Sequence, residues 1–128
     1  MKPMTAEWVN KAEGDFAILE RECLVTQSPS YDGVCFHAQQ CAEKYLKARL
    51  CEAGARFGKI HDLVALLDQT LDEEPTWESF REDLAYLSDF AVAFRYPGES
   101  ADAEVASDAQ QRCRRFRDAA RDALGFGK

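Results

Sequence analysis

Prolines are few: four in 128 residues, at positions 3, 29, 75 and 97. A proline kinks or ends a helix, so long proline-free stretches suit a helical chain punctuated at those points. Apolar runs are short, and none approaches the roughly 20 residues that a membrane-spanning helix needs. The opening Met1-Lys2-Pro3-Met4-Thr5-Ala6-Glu7-Trp8 lacks the apolar core of a secretory signal. Both absences lead to the expectation of a cytoplasmic protein with no membrane association. Strand-like alternation of useful length, internal repeats and low-complexity linkers are also missing. The chain therefore reads as one domain over residues 1–128, with its core at about 5–124.

Several enzyme signatures are absent as well. There is no P-loop, GxGxxG, HExxH or GxSxG turn, and no pair of carboxylates stands out among 23 acids. No catalytic residue and no cofactor is assigned. The five cysteines (Cys23, Cys35, Cys41, Cys51 and Cys113) form no CxxC pair. Four of them fall at helical, partly apolar positions, where cysteine behaves as a small core residue. Cys35-x-His37-x3-Cys41 is not read as a metal site, because on a helix Cys35 and His37 point about 200° apart. The net charge of −7 argues against gripping duplex nucleic acid through bulk charge, though not against a local basic patch.

What the chain does contain is helical periodicity. Trp8, Ala12, Phe16, Leu19 and Cys23 make one apolar stripe, on a first helix beginning at Thr5. A second helix spans about Tyr31 to Ala53 and stops at Gly54. A shorter one starts near Asp62 and carries Leu63, Leu66, Leu67 and Leu71. Thr76 is then placed to cap a fourth, in which Trp77, Phe80, Leu84, Leu87, Ala91 and Phe94 alternate steps of three and four. Tyr96-Pro97-Gly98 breaks it. The last helix, about Ala101 to Leu124, has Val105, Ala109, Cys113, Phe116, Ala120 and Leu124 on its core side. The expected fold is an all-α bundle of four to five helices.

The second helix is the most informative part. At about 100° per residue, Gln40, Glu43, Lys44 and Lys47 form one polar stripe headed by Phe36. The opposite arc, Val34, Ala38, Cys41, Ala42 and Tyr45, faces a core. Such a stripe is either a solvated face laced with i, i+4 pairs or the floor of a binding groove. Arg95 falls on the apolar stripe of the fourth helix, which makes it a snorkelling helix-end arginine or an anion contact facing a groove. His61 precedes a helix start, where it can bond backbone or meet a phosphate near the exposed amides. His37 lies on the margin of the polar stripe. Arg114, Arg117 and Arg121 share one side of the last helix; a salt-bridged face with Asp108, Asp118 and Asp122 accounts for them, and a phosphate patch is the alternative.

Three segments then line up in order. Tyr31-Asp32-Gly33-Val34-Cys35-Phe36-His37-Ala38-Gln39-Gln40-Cys41-Ala42-Glu43-Lys44-Tyr45-Leu46-Lys47-Ala48 is followed by His61-Asp62-Leu63 and by Arg95-Tyr96-Pro97. Together with Trp8, Ala12 and Asp15, this set resembles the HEPN (higher eukaryote and prokaryote nucleotide-binding) domain family over about Thr5 to Leu124. The resemblance implies an up-and-down helical bundle, usually a homodimer, with a separately encoded minimal nucleotidyltransferase as partner, some such pairs acting as toxin and antitoxin. It also implies a nucleotide or single-stranded RNA groove, which carries onto Gln40, Glu43, Lys44, Lys47, His61, Arg95 and Tyr96.

One departure matters. Members that cut RNA are similar in having such an arginine followed by a histidine, with four to six residues between the two. Here Ser100, Ala101 and Asp102 occupy the places that count from Arg95. Cleavage without a metal needs a proton-transfer group, and histidine suits that near neutral pH. The expected function is therefore a nucleotide- or RNA-binding module without the usual RNase histidine. Two other readings stay open: a metal-independent endoribonuclease in which His61 is brought beside Arg95, and a purely structural interaction domain in which Arg95 is salt-bridged.

Overall fold

Local end signals set the helix lengths. Ser30 Oγ accepts the Gly33 backbone N–H at 3.0 Å, Asp62 accepts from Val64 and Ala65, and Asp102 accepts from Val105 at 2.8 Å; each satisfies a donor that the first turn leaves open. At Gly54 (φ +76°) the second helix closes with Ala55 N–H donating to Leu50 O and Gly54 N–H to Cys51 O. That paired termination needs the left-handed residue that glycine supplies. The computed structural model describes residues 1–127. Among them it places α1 (Pro3–Glu22), α2 (Tyr31–Glu52), α3 (Leu63–Thr70), α4 (Arg81–Ser88) and α5 (Ala103–Ala123), with 3-10 turns at Pro75–Phe80 and Asp89–Ala91 and no strand.

Cross-helix pairs give the directions. The Lys2 N–H donates to Glu52 and the Ser30 N–H to Glu22, so α1 and α2 form an antiparallel hairpin. Gln110 and Arg114 meet Glu20 while Arg117 meets Glu13, so α5 runs antiparallel to α1. Asp32 holds the Ala101 N–H at one end and Tyr45 meets Arg121 at the other, so α5 is parallel to α2. Antiparallel α3 and α4 are tied by Arg81–Asp68 and by Leu63 N–H to Ser88 Oγ. The result is the expected all-α helical bundle. Its core runs along α2, where Val34, Ala38, Cys41, Ala42 and Tyr45 are all buried. At its far end Phe116 takes Trp77 and Phe80 edge-on, with ring centroids 5.0 and 5.4 Å apart.

Several expectations are corrected. The first helix starts at Pro3, not Thr5, because proline's missing N–H costs nothing in the opening turn. Cys23 is exposed rather than in the apolar stripe, since α1 ends at Glu22 and the chain turns away; Cys35, Cys41 and Cys113 are buried as small core residues. Thr76 caps nothing: Pro75 opens the segment behind Glu74. The fourth helix is not continuous but a 3-10 turn, one short α-helix and a second 3-10 turn. Both kinds of helix turn every third residue roughly inward, so the apolar spacing is the same for either.

The arginines of α5 are held by acids, though by those of α1 more than by the neighbouring aspartates. Arg117 makes a two-pronged contact to Glu13 at 2.7 and 3.0 Å, Arg121 approaches the same carboxylate at 3.4 Å, and Arg114 pairs with Glu20. Glu13 also accepts from the Tyr45 hydroxyl at 2.5 Å. Burial opposes ionisation of Glu13, but the Arg117 and Tyr45 hydrogen bonds and the two guanidinium charges outweigh it and hold the carboxyl below its ordinary range. A carboxyl lowered in the folded state adds stability that is present above its unfolded pKa and lost as pH falls through the folded one. Glu13→Gln is expected to cost about 1–3 kcal/mol near neutrality. The gap from wild type should shrink on acidification, measured by urea denaturation across pH.

Candidate functional site

Glu43 is the centre of the polar face of α2. Its side chain is 5% exposed, and a carboxylate that deep needs every oxygen answered. Gln39 Nε2 donates at 3.0 Å, Lys47 Nζ at 3.1 Å, and His61 Nδ1 lies 3.1 Å from both oxygens. A carboxylate only accepts, so Nδ1 carries the proton in this contact. The imidazole is 66% exposed with Nε2 unpartnered among the described residues. Lys47 is equally deep; its ammonium sits 5.7 Å from the Trp8 ring centroid and 5.8 Å from that of Phe57, close enough for both ring faces to attract it. Trp8 and Phe57 meet edge-on at 5.8 Å, so one ion pair ties α1, α2 and the 53–62 loop together.

Gln40 joins this cluster by donating to Gln39 Oε1 at 2.7 Å. Lys44 does not. It points to the seam with α1, where Asp15 accepts from Lys44 at 2.6 Å and sits 2.7 Å from His37 Nδ1. Cys35 lies in the core and His37 on this seam, so the two diverge as their helical angles require.

Arg95 and Tyr96 form the other end of the face. Phe94 adopts the left-handed region (φ +65°), which ends any helical continuation and is costly for a non-glycine residue. Arg95 is consequently on a loop and exposed, not on a core-facing helical stripe. Among the described residues its only hydrogen bond is a 3.5 Å contact to Ala91 O. Five other arginines, Arg112, Arg114, Arg115, Arg117 and Arg121, all pair with carboxylates. Arg95 shares an open cleft of about 320 Å³ with Asp32, Gly33, Phe36, Ala93 and Phe94, and Tyr96 beside it is 75% exposed. His61 and Arg95 are not brought together. His61 is fixed at the level of Glu43 and Arg95 at that of Phe36, seven residues and about 10 Å along α2.

Sequence reasoning missed Gln39, which is fully buried and holds the Glu43 carboxylate; its i, i+4 spacing to Glu43 was the available signal. It also left Asp15, Phe57 and Asp32 without these roles. Glu43→Ala strands the Lys47 ammonium and is expected to cost about 3–5 kcal/mol. Replacing both, Glu43→Leu with Lys47→Met, should recover most of that in thermal melts, because an apolar pair of similar volume needs no desolvation.

The chain matches the family model of the HEPN domain across residues 5–123. No curated protein and no solved structure matches it. A helical bundle with the polar face of α2 beside the Arg95 loop, and a family match over nearly the whole length, lead to one conclusion: the chain belongs to the HEPN domain family.

Proposed function

We propose that this protein is a nucleotide- or single-stranded-RNA-binding module, a single domain over 1–128 that does not itself cut RNA. Family membership supports a nucleotide- or RNA-related role at the coarse level. The observation that carries the finer reading is Arg95: an exposed guanidinium with no acidic partner among the described residues, lining a cleft with the Phe36 and Phe94 rings, on a chain whose net charge is −7. In such a chain a cation left unpaired is available to an outside anion, and guanidinium geometry matches phosphate. The ligand would lie along α2 from Arg95 and Tyr96 to Gln40 and His61, with Lys44 on the flank. Glu43 and Lys47 would act through His61, as its buried support. The homodimer, the minimal nucleotidyltransferase partner, a toxin–antitoxin-like pairing and a cytoplasmic location belong to the same proposal.

The endoribonuclease reading has one observation in its favour, an imidazole oriented by a buried carboxylate with Nε2 free, which is the arrangement of a general base. Arg95 is not part of that arrangement: it lines the cleft at Phe36, about 10 Å along α2 from the Glu43 that His61 meets. Incubation of single-stranded RNA in chelator is therefore expected to give no cleavage above that of His61→Ala. The salt-bridged Arg95 of an interaction domain is not favoured, since Arg95 has no carboxylate partner among the described residues.

The test is a thermal-shift titration of wild type and Arg95→Ala against ATP, GTP, AMP and a short single-stranded RNA. A ligand bound to the native state raises the melting midpoint by an amount that grows with the logarithm of its concentration above Kd. Arg95→Ala should melt like wild type without ligand and bind about 10-fold or more weakly, the loss of a charge-assisted contact. No shift with any of the four removes the binding reading.

A further inference from the structure

The cleft beside Arg95 carries features that generic phosphate binding does not use. Phe36 and Phe94 are half-buried along it, and Phe94 is held by the Phe90 ring, stacked at 5.7 Å and 29°. Asp32 lines the same cleft as Arg95, and the two do not pair. A cation and a carboxylate that share an aromatic cleft without meeting leave room for a ligand with complementary ends. Asp32 is also fixed in place: Oδ1 accepts the Ala101 N–H at 2.7 Å, which ties the head of α2 to the head of α5. Its other oxygen has no partner among the described residues.

An ionised carboxylate accepts and cannot donate. Uracil offers it one N–H between two carbonyl oxygens. Adenine and cytosine each offer an amino group next to a ring nitrogen that repels it. Guanine alone sets two donors side by side, N1–H and the 2-amino group. The cleft, at about 320 Å³, is at the small end of ligand sites, the size for one base and not for a large cofactor.

We propose that this cleft is a guanine pocket: the base lies against the Phe36 and Phe94 rings, its N1–H and 2-amino edge meets Asp32, and its phosphate reaches Arg95. This inference rests on the nucleotide-binding reading above and adds the base to it. Aromatic stacking is tolerant of any base; Asp32 is what makes the pocket selective.

The test compares GMP, IMP, AMP and UMP by calorimetric titration of the full chain, as wild type and as Asp32→Asn. Asparagine keeps Oδ1 for the Ala101 N–H and replaces the free acceptor with a donor. Wild type should bind GMP about 10-fold or more tightly than AMP or UMP, the discrimination expected of a two-point base contact. IMP, which lacks only the 2-amino group, should fall between, and this arm needs no substitution. Asp32→Asn should lose the preference while melting like wild type. Equal affinity for the four, or a preference that survives Asp32→Asn, overturns the guanine pocket and leaves nucleotide binding standing. If no monophosphate binds, the pocket is overturned; if RNA fails as well, so is the reading beneath it.

Discussion

A carboxylate and an ammonium placed together out of water constrain everything around them, and in this bundle that pair is Glu43 and Lys47. Neither residue is stable there alone, so each of its neighbours is committed. Gln39 has to be an amide, Trp8 and Phe57 have to present ring faces, and His61 has to turn Nδ1 inward. The polar face of α2 is thus not a solvated surface that happens to carry charges. Half of it is an internal structure, and the residues left facing outward, Gln40 and the far side of His61, are held by it.

The charge balance shows why a basic patch cannot be read from arginine spacing. Five arginines between 112 and 121 look like a cationic stripe. Folding brings Glu13, Glu20 and Asp83 against them, and with Asp108 and Asp118 from the same helix every one of the five is paired. Arg95, on its loop, meets no such acid among the described residues. Positive potential available to a ligand is therefore set by which acids the topology delivers, and a guanidinium left without an acid beside an aromatic cleft can matter more than a run of paired ones.

The bundle itself was legible because its signals are local. Apolar residues recur at helical spacing, and Ser30, Asp62 and Gly54 stand at helix ends that need them. The polar stripe of α2 and its opposite core arc were also visible. Less of the site was. A spacing of three does not distinguish a 3-10 turn from an α-helix, so the division of the fourth helix left no mark. The left-handed turn at Phe94 is invisible because phenylalanine carries no turn signal, and with it went the true position of Arg95. Partners distant in the chain, such as Glu13 for Arg117 or Asp15 for Lys44, depend on the packing of whole helices.

Phe57 and His61 rest on the same ion pair, one over its cation and the other on its anion. The loop from 53 to 62 is consequently latched at two points that share one support. A shift of Glu43 or Lys47 would be felt at both points, since the two are paired at 3.1 Å. Loss of the ion pair would withdraw support from both points at once, so the seating of this loop is coupled to the packing of the α1–α2 seam.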